Sequence, residues 1–327
     1  MNPVKIKEAL RTLVPLQQPV FIWGAPGVGK SQVVAQIAEE LGKELIDVRA
    51  VLLDPVDLRG LPRIEQDGTA GWCPPSFLPQ EGSGILFLDE LNAAPPLVQA
   101  ACYQLVLDRK LGEYELPEGW TVLAAGNREG DRAVTHRMPT ALANRFVHLD
   151  FDVSHSDWEL WAQQKGLSYE VTAFLKFRPA LLHDFDPKKD VKAFPSPRSW
   201  EFAARVLSAD PAPSVLYEML SGTIGTGAAT EFIGFRKAYK DLPDPEEVLQ
   251  QPDNIPLPED PATLYAFCEV LASKASEATS DAILTVASRL PAEFSVLLVR
   301  DSVKRFRNII ESSLFSSWAE QHAEVLV

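Results

Sequence analysis

Cysteine and histidine are scarce in this sequence. Three cysteines (Cys73, Cys102 and Cys268) and five histidines are scattered over 327 residues. Residues so far apart have no metal-ligand spacing and make no disulfide framework, which disfavours a zinc site and predicts a reducing, cytoplasmic setting. No apolar run is long enough to span a bilayer, and the N-terminus lacks the apolar region of a secretory leader, so a soluble chain is expected. Positive charge is also short. Lysine and arginine total 31 against 45 aspartates and glutamates, a formal net charge of −14. Affinity for a phosphate backbone comes from clustered cations, so nucleic acid is disfavoured as the main partner, although a local basic patch is not excluded. Tandem repeats and low-complexity tracts are missing. The length suggests two or three domains, and 46% hydrophobic content is ample for their cores.

What is present centres on residues 21–31. Gly24, Ala25, Pro26, Gly27, Val28, Gly29, Lys30 and Ser31 fit the phosphate-binding pattern of a glycine, four residues, then Gly-Lys-Ser. The flanks agree. Val20 to Trp23 predicts a short buried strand. Ser31 to Leu41 predicts a helix with Val34, Ile37, Ala38 and Leu41 on one face and Gly42 as its stop. A glycine loop between strand and helix lets backbone N–H groups surround a phosphate at the positive end of the helix. Lys30 would reach the outer phosphates, and the Ser31 hydroxyl would hold Mg²⁺.

Further strands are expected at Leu45–Val48, at 84–90, at Thr121–Ala125 and at Phe146–Phe151. Helices are expected at 4–14 and from Pro95 to Arg109. Strands alternating with helices predict a parallel sheet covered on both faces. Residues 54–82 lack periodicity, and Lys110 to Gly119 alternates like a hairpin. After residue 153 the pattern turns helical. A capping box at Ser156–Glu159 opens a helix that stops at Gly166, and helical patterns follow at 168–183, 197–208 and 213–240. Ser221–Gly227 reads as a helix–helix turn. A proline- and aspartate-rich linker over about 241–261 precedes closing helices at 262–277, 280–289 and 291–318. Trp158, Trp161, Phe306, Leu314, Phe315 and Trp318 read as core or interdomain packing.

Five further positions carry chemistry. Asp89 and Glu90 end an apolar strand at the sheet edge where such folds bind ligands. Asp89 would bind Mg²⁺ through water, and Glu90 would orient and deprotonate an attacking water. Asn127 follows the next strand and could present its amide to a γ-phosphate or to that water, though Asn is also a common turn former. Arg145 opens the last strand, and a permanent forked cation suits a transferring phosphoryl group. Arg128, Arg132 and Arg137 lie nearby, and any of them could instead be a surface cation. Ser196 reads as an N-cap and Pro197 as the first helical residue. Arg198 then falls in a helix's first turn, where the dipole disfavours a cation, so a phosphate or a neighbouring carboxylate should compensate it.

This set resembles an AAA+ ATPase, most closely the MoxR-like branch. Asp57-Leu58-Arg59-Gly60 resembles the segment before that branch's helix-2 insert. Residues 89–96 resemble its extended Walker B, and Ser196-Pro197-Arg198 its sensor-2 helix. The resemblance is close over 20–150 and 195–200 and loose in the C-terminal helices. It implies an α/β P-loop NTPase core with a five-stranded parallel sheet over 1–153, a helical lid over 154–240, and a linker with C-terminal helices over 241–327. It also implies that Lys30 and Ser31 are Walker A, Asp89 and Glu90 Walker B, Asn127 sensor 1 and Arg198 sensor 2. Arg145 would be the arginine finger acting on ATP held by the next subunit of a ring, typically a hexamer. Arg128-Glu129-Gly130 departs from the family, which often has proline after the sensor asparagine. That leaves open which arginine faces the neighbour. Residues 60–78, anchored by Trp72 and Phe77, and residues 110–120 fit the family's two inserts. The implied function is ATP hydrolysis that remodels a protein client, commonly with a partner carrying a von Willebrand factor A domain. A rubisco-activase-like remodeller and a nucleotide-gated oligomeric scaffold are the alternatives.

Overall fold

The computed structural model describes residues 1–131, 136, 138–189, 191–240 and 242–322. The chain divides into two compact units, Met1–Trp158 with Phe185–Asp190, and Glu159–Asp184 with Val191–Val327.

The strands of the first unit are β1 (Val20–Trp23), β2 (Glu44–Arg49), β3 (Leu61–Ile64), β4 (Ala70–Cys73), β5 (Ser83–Asp89), β6 (Lys110–Leu111), β7 (Tyr114–Glu115), β8 (Gly119–Gly126) and β9 (Val147–Asp150). Five of them form one sheet in the order β2-β5-β8-β1-β9, with every pairing parallel. This is the expected five-stranded parallel sheet. Its helices are α1 (Pro3–Leu13), α2 (Lys30–Glu40), α3 (Pro55–Arg59), α4 (Pro96–Asp108) and α5 (Thr140–Ala143).

Successive strand side chains point to opposite faces, and the apolar residues sort accordingly. Phe21, Leu86, Leu88, Val122 and Ala124 join Val98, Cys102 and Leu105 of α4 in one core. Val20, Ile22, Ile85, Phe87, Leu123 and Ala125 join Ile6 and Leu10 of α1 and Val33, Val34 and Ile37 of α2 in the other. Both faces are covered, which is why these strands read as continuous apolar runs rather than as alternating ones. The register sets Trp23 beside Gly126 and beside Asp150. The loop after β1 therefore emerges next to the end of β8.

Residues 54–82 are more ordered than the sequence suggests. They contain α3 and the β3–β4 hairpin, in which Leu61 pairs with Cys73 and Ile64 with Ala70. Phe77 packs against the sheet core. Trp72 is covered instead by the Arg59 guanidinium, 4.1 Å from its ring centroid. The β6–β7 hairpin reaches the first one, since the Trp72 N–H donates to the Glu113 carboxylate at 3.3 Å.

Helix α6 (His155–Gln164) begins one residue before the expected box. Its cap is Ser154, whose hydroxyl accepts the Asp157 N–H at 3.3 Å. The second unit continues with α7 (Tyr169–Phe177), α8 (Pro197–Ser208), α9 (Pro213–Ile224), α10 (Thr226–Lys240), α11 (Pro245–Gln250), α12 (Pro261–Ser273), α13 (Ser280–Arg289), α14 (Ala292–Arg305) and α15 (Ser313–Gln321). The 213–240 stretch breaks at Gly225, whose φ of 83° takes the chain out of α9. The expected linker holds α11, whose Val248 is fully buried among the C-terminal helices. The closing stretch breaks at Phe306, an extended residue between α14 and a short 3-10 turn. Trp318 is buried and donates to Ser295 Oγ at 2.8 Å, whereas Leu314 is exposed rather than packed.

Within this unit, α6, α7, α12 and α14 meet at a buried cluster of charge. Lys176 Nζ lies 3.1 Å from Glu159 and 2.6 Å from Asp301, and it also pairs with Glu269. Arg305 pairs with the far side of Glu269 at 2.5 Å, and Lys304 with Asp301 at 3.1 Å. Burial alone would drive Lys176 toward its neutral form, but the three carboxylates outweigh it and hold its pKa above the usual lysine value.

Candidate active site

Residues 24–29 join the end of β1 to α2. Gly27 and Gly29 take left-handed backbone, with φ of 78° and 104°. Gly29 caps α2 without any side-chain bond, so the first N–H groups of that helix are not satisfied by a cap. The loop is tied to β8 where the Gly24 N–H donates to the Gly126 carbonyl at 3.2 Å. Gly24 itself lies 3.2 Å, as measured to a built Cβ, from Phe151, which leaves little room for a side chain.

Lys30 is 9% exposed and turns back across the loop. Its ammonium donates to the carbonyls of Gly24 and Ala25, at 2.7 and 3.0 Å, and to Asn127 Oδ1 at 3.1 Å. Ser31 Oγ donates to Asp89 Oδ2 at 2.8 Å. Four expected site residues thus meet in two pairs, Lys30 with Asn127 and Ser31 with Asp89, where α2 begins and β5 and β8 end. Glu90 follows directly, with its backbone in the left-handed region (φ 56°, ψ 32°) and its N–H on Asp89 Oδ1 at 3.0 Å. Carboxylate charge is dense at this edge. Partial desolvation and the nearby Asp89 charge raise the pKa of Asp47 on β2.

A hydroxyl and a carboxylate oxygen are hard donors of the kind Mg²⁺ takes, and Ser31 and Asp89 converge, so these residues fit such an ion. Among the described residues no group of three His, Cys, Asp or Glu gathers to hold a metal. A cation here would complete its shell with water and with the oxygens of a bound phosphate.

The arginines separate. Arg128 is half-buried and braces the end of β9, with its guanidinium 2.9 Å from Asp152, 3.4 Å from Asp150 and on the Phe151 carbonyl at 3.2 Å. The Asp152 hydrogen bond is the main reason its pKa is raised. Arg145 sits between α5 and β9. It donates to the Ala141 carbonyl, its Nε is buried without a partner among the described residues, and no contact joins it to Lys30, Ser31, Asp89 or Asn127 of its own chain. Arg132 and Arg137 lie outside the described residues. Arg198 belongs to the second unit. Ser196 caps α8 as expected, accepting the Ser199 N–H at 3.1 Å, and Pro197 opens the helix. Arg198 is exposed in the first turn, which carries no acidic residue, so the expected compensating carboxylate is not supplied by its own helix start.

Three other residues near this site had no individual role in the sequence reading, although Asn92 fell within the 89–96 segment. Asn92 is buried, and its Nδ2 donates to the Asn127 carbonyl at 2.7 Å. Trp23, just before the loop, donates its indole N–H to His148 Nδ1 at 2.8 Å, and His148 Nε2 meets the Ala143 carbonyl at 2.8 Å. The available signal was position alone: Asn92 lies three residues after Asp89, and Trp23 abuts Gly24.

Residues 19–146 match the AAA domain of the dynein-related subfamily. That stretch holds Gly24 through Arg145, and Arg198 lies beyond it. Over 174 residues the chain is 32% identical to Midasin of Giardia intestinalis, covering 48% of this chain and 4% of that protein. Over 134 residues it is 30% identical to Protein MoxR of Paracoccus denitrificans, covering 39% of each. The chain thus spans well under two thirds of the length of either relative. Among solved structures, NtrX from Brucella abortus in complex with ADP is similar at a TM-score of 0.43 and 14% identity, over 99% of this chain and 68% of that one. A likeness that low bears on no functional point.

Proposed function

With an AAA+ domain of MoxR-like type over residues 19–146 as the premise, we propose that this chain hydrolyses ATP to ADP and phosphate in a Mg²⁺-dependent reaction, as one subunit of a ring. The observation that carries this is the convergence of Lys30 on Asn127 (3.1 Å) and of Ser31 on Asp89 (2.8 Å) where β1, β5 and β8 end. The loop 24–29 and the start of α2 receive the triphosphate on backbone N–H groups. Lys30 swings from the loop carbonyls to the outer phosphates. Ser31 and Asp89 would hold Mg²⁺, which would supply charge neutralisation at the phosphoryl oxygens. Glu90 accepts a proton from the attacking water, and Asn127 holds that water or the γ-phosphate.

Arg145 acts on ATP held by the next subunit; among the described residues it bonds the Ala141 carbonyl and not Lys30, Ser31, Asp89 or Asn127. Arg198, exposed at the start of α8, contributes from the lid. The ring is a hexamer by family resemblance, and turnover drives chaperone-like remodelling of a protein client in the cytoplasm. A protein with a von Willebrand factor A domain is the proposed partner.

Titration of Mg-ATP into the wild type and into Lys30→Ala tests the site. The wild type binds, and the variant loses affinity by at least about tenfold, the order of one charge-assisted contact. Equal binding by the two proteins would remove Lys30 from the site. Tight binding with negligible turnover by the wild type would favour a nucleotide-gated scaffold.

A further inference from the structure

We propose that Asn92 is a positioning residue for hydrolysis, locking the Asn127 turn to the segment that carries Glu90. The inference rests on the roles given above to Glu90 and Asn127.

Asn92 lies in the 3-10 turn Leu91–Ala93, which starts directly after Glu90, and is 2% exposed. Its Nδ2 donates to the Asn127 carbonyl at 2.7 Å, and its own carbonyl accepts the His136 N–H at 2.7 Å. Its Oδ1 is buried without a partner among the described residues. A buried amide oxygen left unpaired is costly, so the carboxamide is held there by what its other end does. Gly126 makes the approach possible. A Cβ at that position would stand 2.0 Å from Asn92 Oδ1 and 2.9 Å from the tip of the Phe21 ring.

The other end of the link is Glu90. Left-handed backbone is disfavoured for a residue with a side chain and persists only where the surroundings impose it. Here the Ala93 N–H donates to the Glu90 carbonyl at 2.9 Å, and Gln99 Nε2 donates to the Ala94 carbonyl at 3.0 Å. Asn92 adds the only side-chain hydrogen bond among the described residues from this turn to the end of β8. One carboxamide therefore joins the backbone of the proposed base to the backbone of Asn127, whose own amide meets Lys30.

The test compares Asn92→Ala, Gly126→Ala and the double variant, with Glu90→Gln alongside, by steady-state phosphate release from Mg-ATP and by affinity for a fluorescent ATP analogue. Each single variant is expected to lower kcat on the order of a hundredfold, as a slight misplacement of reacting groups does, while affinity stays at the wild-type level. In the double variant the small residue at 92 vacates the space that the methyl at 126 needs, so its loss is smaller than the product of the two single losses. Wild-type kcat in both single variants beside an inactive Glu90→Gln overturns the role of Asn92 and leaves the site intact. Multiplying losses overturn the link. Turnover that survives Glu90→Gln overturns both proposals. If Asn92→Ala fails to fold, kcat and affinity of Gly126→Ala decide alone, and a kcat unchanged there overturns the link.

Discussion

Gly29 and Gly126 show two reasons for a glycine within one site. Gly29 has φ of 104°, and a Cβ there would meet nothing within 4 Å. Its need is backbone freedom alone. Gly29→Ala is therefore expected to destabilise the first unit by about 1–3 kcal/mol and to weaken ATP binding by re-aiming the loop N–H groups. Thermal denaturation and nucleotide titration check this, and an unchanged melt with unchanged affinity would contradict it. Gly126 instead makes room for Asn92. The first requirement was legible in the sequence, because the spacing from Gly24 to Ser31 encodes a local turn. The second was not, because Asn92 and Gly126 are distant in sequence and meet only once β5 and β8 pair. The arginines follow the same rule. All were candidates in the sequence, but only the fold shows Arg128 spent on Asp150 and Asp152 and Arg145 bonded to the Ala141 carbonyl.

At the scale of elements, the sheet was the most legible feature, since buried parallel strands write continuous apolar runs. The hairpins at 61–73 and 110–115 lie within the stretches 60–78 and 110–120 that the family resemblance marked, whereas the first had shown in the sequence itself only as an aperiodic run. Helix α11 was missed, because its six residues bury little beyond Val248 and sit in a proline-rich context. The charge cluster on Lys176 was also invisible. Its carboxylates come from α6, α12 and α14, and none is at helical spacing from Lys176. Removing the cation leaves Glu159, Glu269 and Asp301 buried together, so Lys176→Met should cost about 3–5 kcal/mol in the second unit. A loss under about 1 kcal/mol by denaturant unfolding would show the cluster to be slack. The pH dependence has a definite sign. Burial would raise the Asp301 carboxyl, but Lys176 beside it brings the pKa below the usual aspartate range. A lowered native pKa contributes stability above the unfolded value of about 3.9, and that stability is lost as pH falls through the native pKa. Acid should therefore unfold this unit below about pH 4.

For the whole molecule, Arg198 belongs to the second unit and the phosphate loop to the first, and Arg145 is proposed to act on the nucleotide of another subunit. The negative net charge, −14, agrees with a protein rather than a nucleic-acid client. Oligomers mixed from Arg145→Ala and Lys30→Ala subunits should recover ATPase activity that neither variant has alone, because one supplies the loop and the other the arginine. No recovery would place Arg145 elsewhere. Lys30, Ser31, Asp89, Glu90 and Asn127 are proposed to form together a site that cuts ATP. Its most direct test is phosphate release by Glu90→Gln at saturating Mg-ATP, with bound nucleotide measured in the same samples. Wild-type ATP binding is expected with turnover reduced by about 10²–10⁴-fold, the usual contribution of a positioned base. Wild-type turnover in that variant would contradict it.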